Sequence, residues 1–454
     1  MFRDTQLLSS ISFYSLCYAT WGLSLSSPPL QEAKAWMVPR GVSFGSLDKL
    51  QRLPMETTTT AATCNIAEPS NENTSPQQLV RVSTRAIGLN FADIFCVLGL
   101  YQAANKLYGK EDVFVPGLEF SGIVVDDPTG TFHTGQAVLG FTRFGAYSDI
   151  VQVPASFLWP LPLEEGVMTT NVSNNYSWSF VEGASFFVQA LTAWHGLVDV
   201  GGMPDLTVES QTDKRPPPYI VLVHSAAGGV GLWASEIAAK RGAVVIGVVG
   251  SREKEEVYQQ RILPLSPYSR SIIRGDERTF GRRLQILLQE MSQLSSDPES
   301  VGVDMVMESL GGKYFTASYE ALRRGGSLVT FGSTSYASPG LGLNPMRLIW
   351  MYLNRPKIDP GELTSRNIRL AGFNLIYLTD QPAKLRSELT QCIRCLGGDR
   401  DTVWSAGPDL GLVTPPIVGQ TFDFRTETIQ ALVTLKSGKT IGKIVLDNSQ
   451  NVAT

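Results

Sequence analysis

The stretch VLVHSAAGGVGLWASEIAAKRGAVVIGVVGS, residues 221–251, leaves this chain few folds to choose from. Residues 219–223 are an apolar, β-branched run that follows Pro216, Pro217 and Pro218. Such a run is too short to stand as a helix and suits a buried strand of a parallel sheet. Ala226, Gly228 and Gly231 then stand at the spacing G-x-G-x-x-G, with Ala in the first place, ahead of a helical pattern through Val230, Ala234, Ile237 and Ala238. A second apolar run at 244–249 arrives at the distance a βαβ unit needs. An ordinary tight turn explains the glycines alone, but not the second strand at this spacing. A side chain at Gly228 would hold the backbone off a pyrophosphate, and the helix start offers unpaired N–H groups and a partial positive charge. Ser225, Ala226, Ala227, Gly228, Gly229, Val230 and Gly231 are therefore expected to cradle a dinucleotide.

The end of the second strand distinguishes the two common dinucleotides. An acid there binds both ribose hydroxyls of NAD and repels the extra phosphate of NADP. This chain has no acid at Gly250 or Ser251 and continues GSREK, so Ser251, Arg252 and Lys254 are placed to pair with a 2′-phosphate. Glu253, Glu255 and Glu256 also suit a solvated loop, but the balance favours NADPH over NADH.

At 454 residues, 43% hydrophobic and 18% charged, the chain is long enough for two domains with their own cores. A net charge of −4 without a basic run argues against nucleic acid and leaves a small molecule as the expected partner. Five scattered cysteines imply no disulfide framework, and Cys392 and Cys395 form a lone C-x-x-C in a helical pattern with no second pair to complete a zinc site. No apolar run reaches membrane-spanning length. Residues 1–31 read as an extension: a poor signal peptide, an organelle-targeting segment or a disordered tail. A cytoplasmic location is expected, with organelle targeting as the alternative. Sequons at Asn73, Asn171 and Asn175 matter only in a secreted chain.

Strand patterns at 34–38, 79–82, 122–125, 137–141 and 150–153 predict a mostly β domain over 32–183. A helix is predicted over 184–197, and strands recur at 271–273, 303–307, 327–331 and 368–373, giving a six-stranded parallel nucleotide-binding domain over 184–376. The β domain resumes over 377–450 and ends in the strand GKIVLD, so the nucleotide-binding domain is inserted into it. Polar or Pro-rich stretches at 57–76, 169–179 and 204–218 read as surface insertions.

RAIGLNFADIFCVLGLY (85–101), VPGLEFSGIV (115–124), VLVHSAAGGVG (221–231), GVDMVMESLGG (302–312), GGSLVTFGSTS (325–335) and GKTIGKIVL (438–446) together resemble the medium-chain dehydrogenase/reductase superfamily. Within it they look like the zeta-crystallin-type quinone oxidoreductases, with the vesicle amine transport protein branch nearest. The resemblance implies an α/β fold in which a GroES-like, mostly β catalytic domain is split by an inserted Rossmann domain. It extends the expected cofactor contacts to Gly332, Ser333, Phe373, Asn374 and Lys443. Zinc alcohol dehydrogenases of the superfamily hold their metal with a Cys, the His of a Gly-His-Glu and a later Cys. The matching places here are Asn90, Leu118 and a residue near Val188, and only the Glu survives, as Glu119. No metal is therefore expected, which disfavours alcohol oxidation and leaves reduction of an electron-poor acceptor, a quinone or a carbon–carbon double bond conjugated to a carbonyl. Asn90 and Tyr101, eleven positions apart as in the resembling enzymes, are the candidate catalytic residues, with Tyr101 a proton donor. Asp93 reads as a helix cap, and His133, His195 and His224 as structural. The alternatives are an enoyl-thioester reductase and a non-catalytic, NADPH-binding membrane-associated adaptor. The strand at 368–375 implies a homodimer through an open sheet edge, unless the insertion at 341–364 folds back over it.

Overall fold

A computed structural model describes residues 33–39, 42, 45–55, 78–107, 113–162, 177–207, 218–292, 302–334, 340–397, 410 and 413–450. The N-terminal extension, the three sequons and most of the three expected insertions lie outside them.

Two large sheets carry the fold. In chain order the strands are β1 Lys34–Met37, β2 Gln51–Pro54, β3 Val80–Gly88, β4 Glu119–Asp126, β5 Ala137–Phe141, β6 Ile150–Val153, β7 Leu158–Pro160, β8 Ile220–His224, β9 Val244–Val249, β10 Arg270–Ile273, β11 Val303–Glu308, β12 Leu322–Thr330, β13 Arg369–Gly372, β14 Val418–Asp423 and β15 Lys443–Asp447. One sheet has the order β14-β15-β3-β4-β5-β7, with β6 also paired to β3. Its β14 and β15 come from the far end of the sequence, and Val445 pairs with Gly88. The other sheet has the order β10-β9-β8-β11-β12-β13, six parallel strands. This is the GroES-like domain interrupted by a Rossmann domain that the motifs imply.

The central strand β8 explains the layering. Val221 and Val223 enter one apolar core, while Ile220 and Leu222 enter a second on the opposite face. Alternating side chains of a strand point to opposite faces, so a strand buried on both reads as a continuous apolar run. Helix Gly229–Lys240 covers the first face together with Phe187–Trp194 and Pro382–Leu396. Cys392 faces inward on that last helix, fully buried, and neither cysteine of the C-x-x-C is in a disulfide.

The helix predicted over 184–197 starts three residues later, at Phe187, and runs on to Val200. A short helix Phe180–Gly183 ends, Phe187–Trp194 begins, and a π-turn His195–Val200 follows. The cause is tertiary: the Glu119 carboxylate accepts from Val188 N at 3.1 Å, so the N–H groups of a new helix start face an anion instead of continuing the previous turn. The segment 341–364 forms helices Pro345–Leu353 and Pro360–Arg366. Among the described residues no strand pairs with the outer edge of β13, and three of its four residues are exposed.

Candidate functional site

The glycine turn is built as its spacing predicts. Ser225 takes a left-handed φ of 54° as the chain leaves β8, and Gly228 N donates to Ser225 O at 2.8 Å to close the turn. The three glycines do different work. A Cβ on Gly228 would meet only Ser225 O, at 3.1 Å, and would project into open space at the mouth of the turn. One on Gly229 would collide with the Gln189 side chain, and one on Gly231 with Ser225 O. Gly231 is thus required by helix–strand packing, whereas Gly228 keeps an approach open.

That approach leads into a cavity of about 630 Å³. Ser225, Gly228, Gly229, Val230, Gly231, Gly332, Ser333, Phe373, Asn374 and Lys443 all line it, together with Asn90 and Tyr101. Ala226 and Ala227 are buried behind the turn and do not reach it. Leu118 and Val188 line the same wall as Asn90. The turn is also tied to the other sheet, since Gly442 N donates to Ala227 O at 2.8 Å.

Ser251, Arg252 and Lys254 lie outside the cavity lining, beyond the end of β9. Ser251 Oγ caps helix Arg252–Ile262 by accepting from Lys254 N, Arg252 is exposed, and Lys254 Nζ donates to Gly438 O at 2.7 Å. Arg274 joins them: a Cβ built on Gly250 would lie 3.8 Å from both Arg274 Nη2 and Lys254 Nζ. Burial and the neighbouring Arg274 pull the Lys254 ammonium down from its ordinary range. Two cations held side by side favour an anion between them. The sequence reading missed Arg274, although it closes β10, the next strand of the sheet, where a basic residue was the available signal.

On the opposite wall, charged groups are buried together. Glu119 and Lys443, 1% and 2% exposed, form an ion pair through Glu119 Oε1. Lys443 Nζ also donates to Asn90 Oδ1 at 2.8 Å, while Asn90 Nδ2 donates to Glu119 Oε1 at 3.0 Å and Gly88 O at 3.3 Å. Burial lowers the Lys443 ammonium, and Glu119 opposes that shift. Asp93 completes a capping box with Asn90 and accepts from Tyr147 Oη at 3.2 Å. Burial pushes its carboxyl up to about 7. Tyr101 Oη donates to Asn374 Oδ1 at 2.7 Å, and burial raises its phenol far above the usual range, so it keeps its proton.

Zinc does not fit this wall. Leu118 and Val188 offer no donor, and the surviving Glu119 is already neutralised by Lys443. Among the described residues one other group has donors close enough to share an ion, His195, Asp199 and Glu388. There His195 Nδ1 is 2.9 Å from Glu388 Oε2, and Lys384 Nζ lies 3.7 Å from the other oxygen, so a cation is already supplied. His133 is exposed, and His224, buried against Ser318 Oγ at 2.7 Å, is held down to about 3 and stays neutral although it touches the cavity.

Two family models match the chain: "Alcohol dehydrogenase GroES-like domain" over residues 76–163 and "Zinc-binding dehydrogenase" over 229–379. The synaptic vesicle membrane protein VAT-1 homolog of Mus musculus is 27% identical over 320 residues, 70% of this chain and 67% of that protein. Its Rattus norvegicus counterpart is covered over 63% of its length. A quinone oxidoreductase of Salmonella typhimurium is 27% identical over 302 residues, 66% of this chain and 78% of the relative. Among solved structures, the quinone oxidoreductase of Thermus thermophilus, described also in complex with NADPH, superposes with a TM-score of 0.55 at 23% identity, covering 91% of this chain and 99% of that one. Among the described residues no helix is long and apolar enough to cross a membrane.

Proposed function

The chain belongs to the medium-chain dehydrogenase/reductase superfamily, and on that premise we propose that it is a zinc-independent, NADPH-dependent reductase of quinones or α,β-unsaturated carbonyls. The observation that carries this reading is the one cavity reached by both the glycine turn and the Asn90–Tyr101 wall, with a lysine–glutamate pair beside the residues that match metal ligands. The NADPH complex of the Thermus relative supports the cofactor, as does the meeting of Lys254 and Arg274 where a 2′-phosphate would lie.

NADPH, when bound, supplies a hydride. The residues divide the remaining tasks. Gly228 and the start of helix Gly229–Lys240 would receive the pyrophosphate, and Phe373 and Asn374 line the same cavity. As hydride arrives at an enone or quinone, negative charge develops on the carbonyl oxygen, and donors aimed at that oxygen lower the barrier. The Lys443 ammonium polarises Asn90 through Oδ1, and to serve that oxygen an Asn90 N–H would leave Glu119 Oε1 or Gly88 O, to which both now donate. Tyr101, kept protonated by burial, would turn from Asn374 to the oxygen as a hydrogen-bond donor, and the same burial opposes full transfer of its proton.

The test is NADPH oxidation with a quinone, a 2-alkenal and an enoyl thioester, with and without chelator, beside direct titration of NADPH binding. Turnover of a quinone or alkenal that survives chelation is expected. NADPH binding without turnover of any acceptor would leave the adaptor reading, and turnover confined to the thioester would move the assignment to an enoyl-thioester reductase.

A further inference from the structure

Among the groups that line the cavity, the Gln189 amide has no task in the fold. Gln189 is 5% exposed, and its side-chain oxygen and nitrogen have no hydrogen-bond partner among the described residues. Buried amides are almost always paired, because an amide withdrawn from water without a partner is destabilising. On the wall of a binding cavity, a polar group left in this state is one of the few that can fix the orientation of a ligand.

Its place in the cavity selects the part of the ligand that it meets. Gln189 stands in the first turn of helix Phe187–Trp194, which packs against helix Gly229–Lys240. A Cβ built on Gly229 would run into Gln189 Oε1, Cδ and Nε2 together, so the amide itself lies over the start of the second helix. One residue earlier, Val188 N donates to Glu119 Oε2 at 3.1 Å, and Glu119 Oε1 accepts from Asn90 Nδ2 at 3.0 Å. Gln189 therefore spans the interval between the glycine turn, which suits a pyrophosphate, and the Asn90 wall, which suits an acceptor carbonyl. Lys254 and Arg274 lie at the far end, outside the cavity lining. A dinucleotide laid from that end across the turn brings its nicotinamide riboside to Gln189 and leaves its adenosine behind.

The chemistry of the side chain agrees. A carboxamide offers two N–H donors and a carbonyl acceptor. The ribose hydroxyls and the carboxamide of nicotinamide riboside likewise both donate and accept. A phosphate or carboxylate only accepts, and would leave the Gln189 carbonyl unpaired.

We propose that Gln189 is a cofactor-binding residue whose side-chain amide holds the nicotinamide riboside of NADPH by hydrogen bonds. The assignment rests on the cavity being the dinucleotide site. Direct titration of the full chain with NADPH, NADH and 2′,5′-ADP tests it, the last carrying the 2′-phosphate but no nicotinamide. Gln189→Leu is expected to weaken NADPH and NADH alike, by about tenfold for the loss of a neutral amide's hydrogen bonds, and to leave 2′,5′-ADP unchanged. Gln189→Met, which keeps an unbranched stem, is expected to do the same. Lys254→Ala should give the converse pattern, weakening NADPH and 2′,5′-ADP while hardly touching NADH. Equal loss of all three ligands in the Gln189 variants would make the residue a packing element of the glycine turn, and unchanged NADPH affinity would leave its amide unused; either overturns the proposal while sparing the dinucleotide reading. A wild type that binds none of the three overturns both.

Discussion

Asp93 holds a carboxyl whose two states are nearly balanced near neutral pH, and the sign of its effect can be worked out. Its folded value of about 7 is raised from 3.8, so its stabilising contribution is fully present below 3.8 and is lost as pH rises through about 7. His224 acts in the opposite sense: held at about 3 against 6.5, it contributes above 6.5 and loses that contribution as pH falls toward 3. Asp93→Asn should therefore gain on the wild type in melting temperature as pH rises from about 4 to about 8, and a constant difference across that range would refute the assignment. At the opposite end of the site, Lys254→Ala and Arg274→Ala should each weaken NADPH by about 1–3 kcal/mol while hardly changing NADH, with a smaller loss for exposed Arg252→Ala. Equal losses for both cofactors in a titration would place the 2′-phosphate elsewhere. The contrast between Lys254 and Arg274 shows what a sequence reveals. Lys254 follows its glycine turn within one βαβ unit, whereas Arg274 reaches Gly250 only through the pairing of β9 and β10. The Tyr101–Asn374 bond joins residues 273 positions apart, and the Lys443–Glu119 pair residues 324 apart, beyond any local pattern.

The βαβ element was legible because its signals are local: an apolar run, a glycine spacing, a helical period and a second run at β9, whose bounds match. The helix predicted over 184–197 was placed with its start three residues early for the complementary reason, since its first turn meets Glu119 from β4. Within the glycine turn the two functions separate by substitution. Gly228→Val should abolish NADPH binding with little change in melting temperature, because its Cβ meets only one backbone oxygen. Gly231→Ala should instead cost about 1–3 kcal/mol of stability in urea unfolding, because its Cβ runs into the turn itself. A Gly228→Val chain that binds NADPH normally would overturn the placement of the pyrophosphate.

For the molecule as a whole, the open edge of β13 is the feature that a monomer leaves unsatisfied, with Leu370 exposed on it. A homodimer with one sheet running through both copies is expected, and light scattering at micromolar concentration should give twice the 49.5 kDa chain mass. Gly372→Pro should reduce it to the monomer, and a dimer indifferent to that change would pair through another surface. The two sheets are themselves joined at the site, where Gly442 N meets Ala227 O, and beside that bond Lys443 reaches Glu119 across β3 within the first sheet. That junction orders events during synthesis. A growing chain that has completed β8, the glycine turn and all of β3 to β7 still lacks residues 442 and 443, so its Glu119 carboxylate has no buried counter-charge. The binding cleft therefore closes only once Gly442 and Lys443 have left the ribosome, and a nascent chain stalled before Gly442 would be an open form exposed to chaperones and proteases with no ligand able to rescue it.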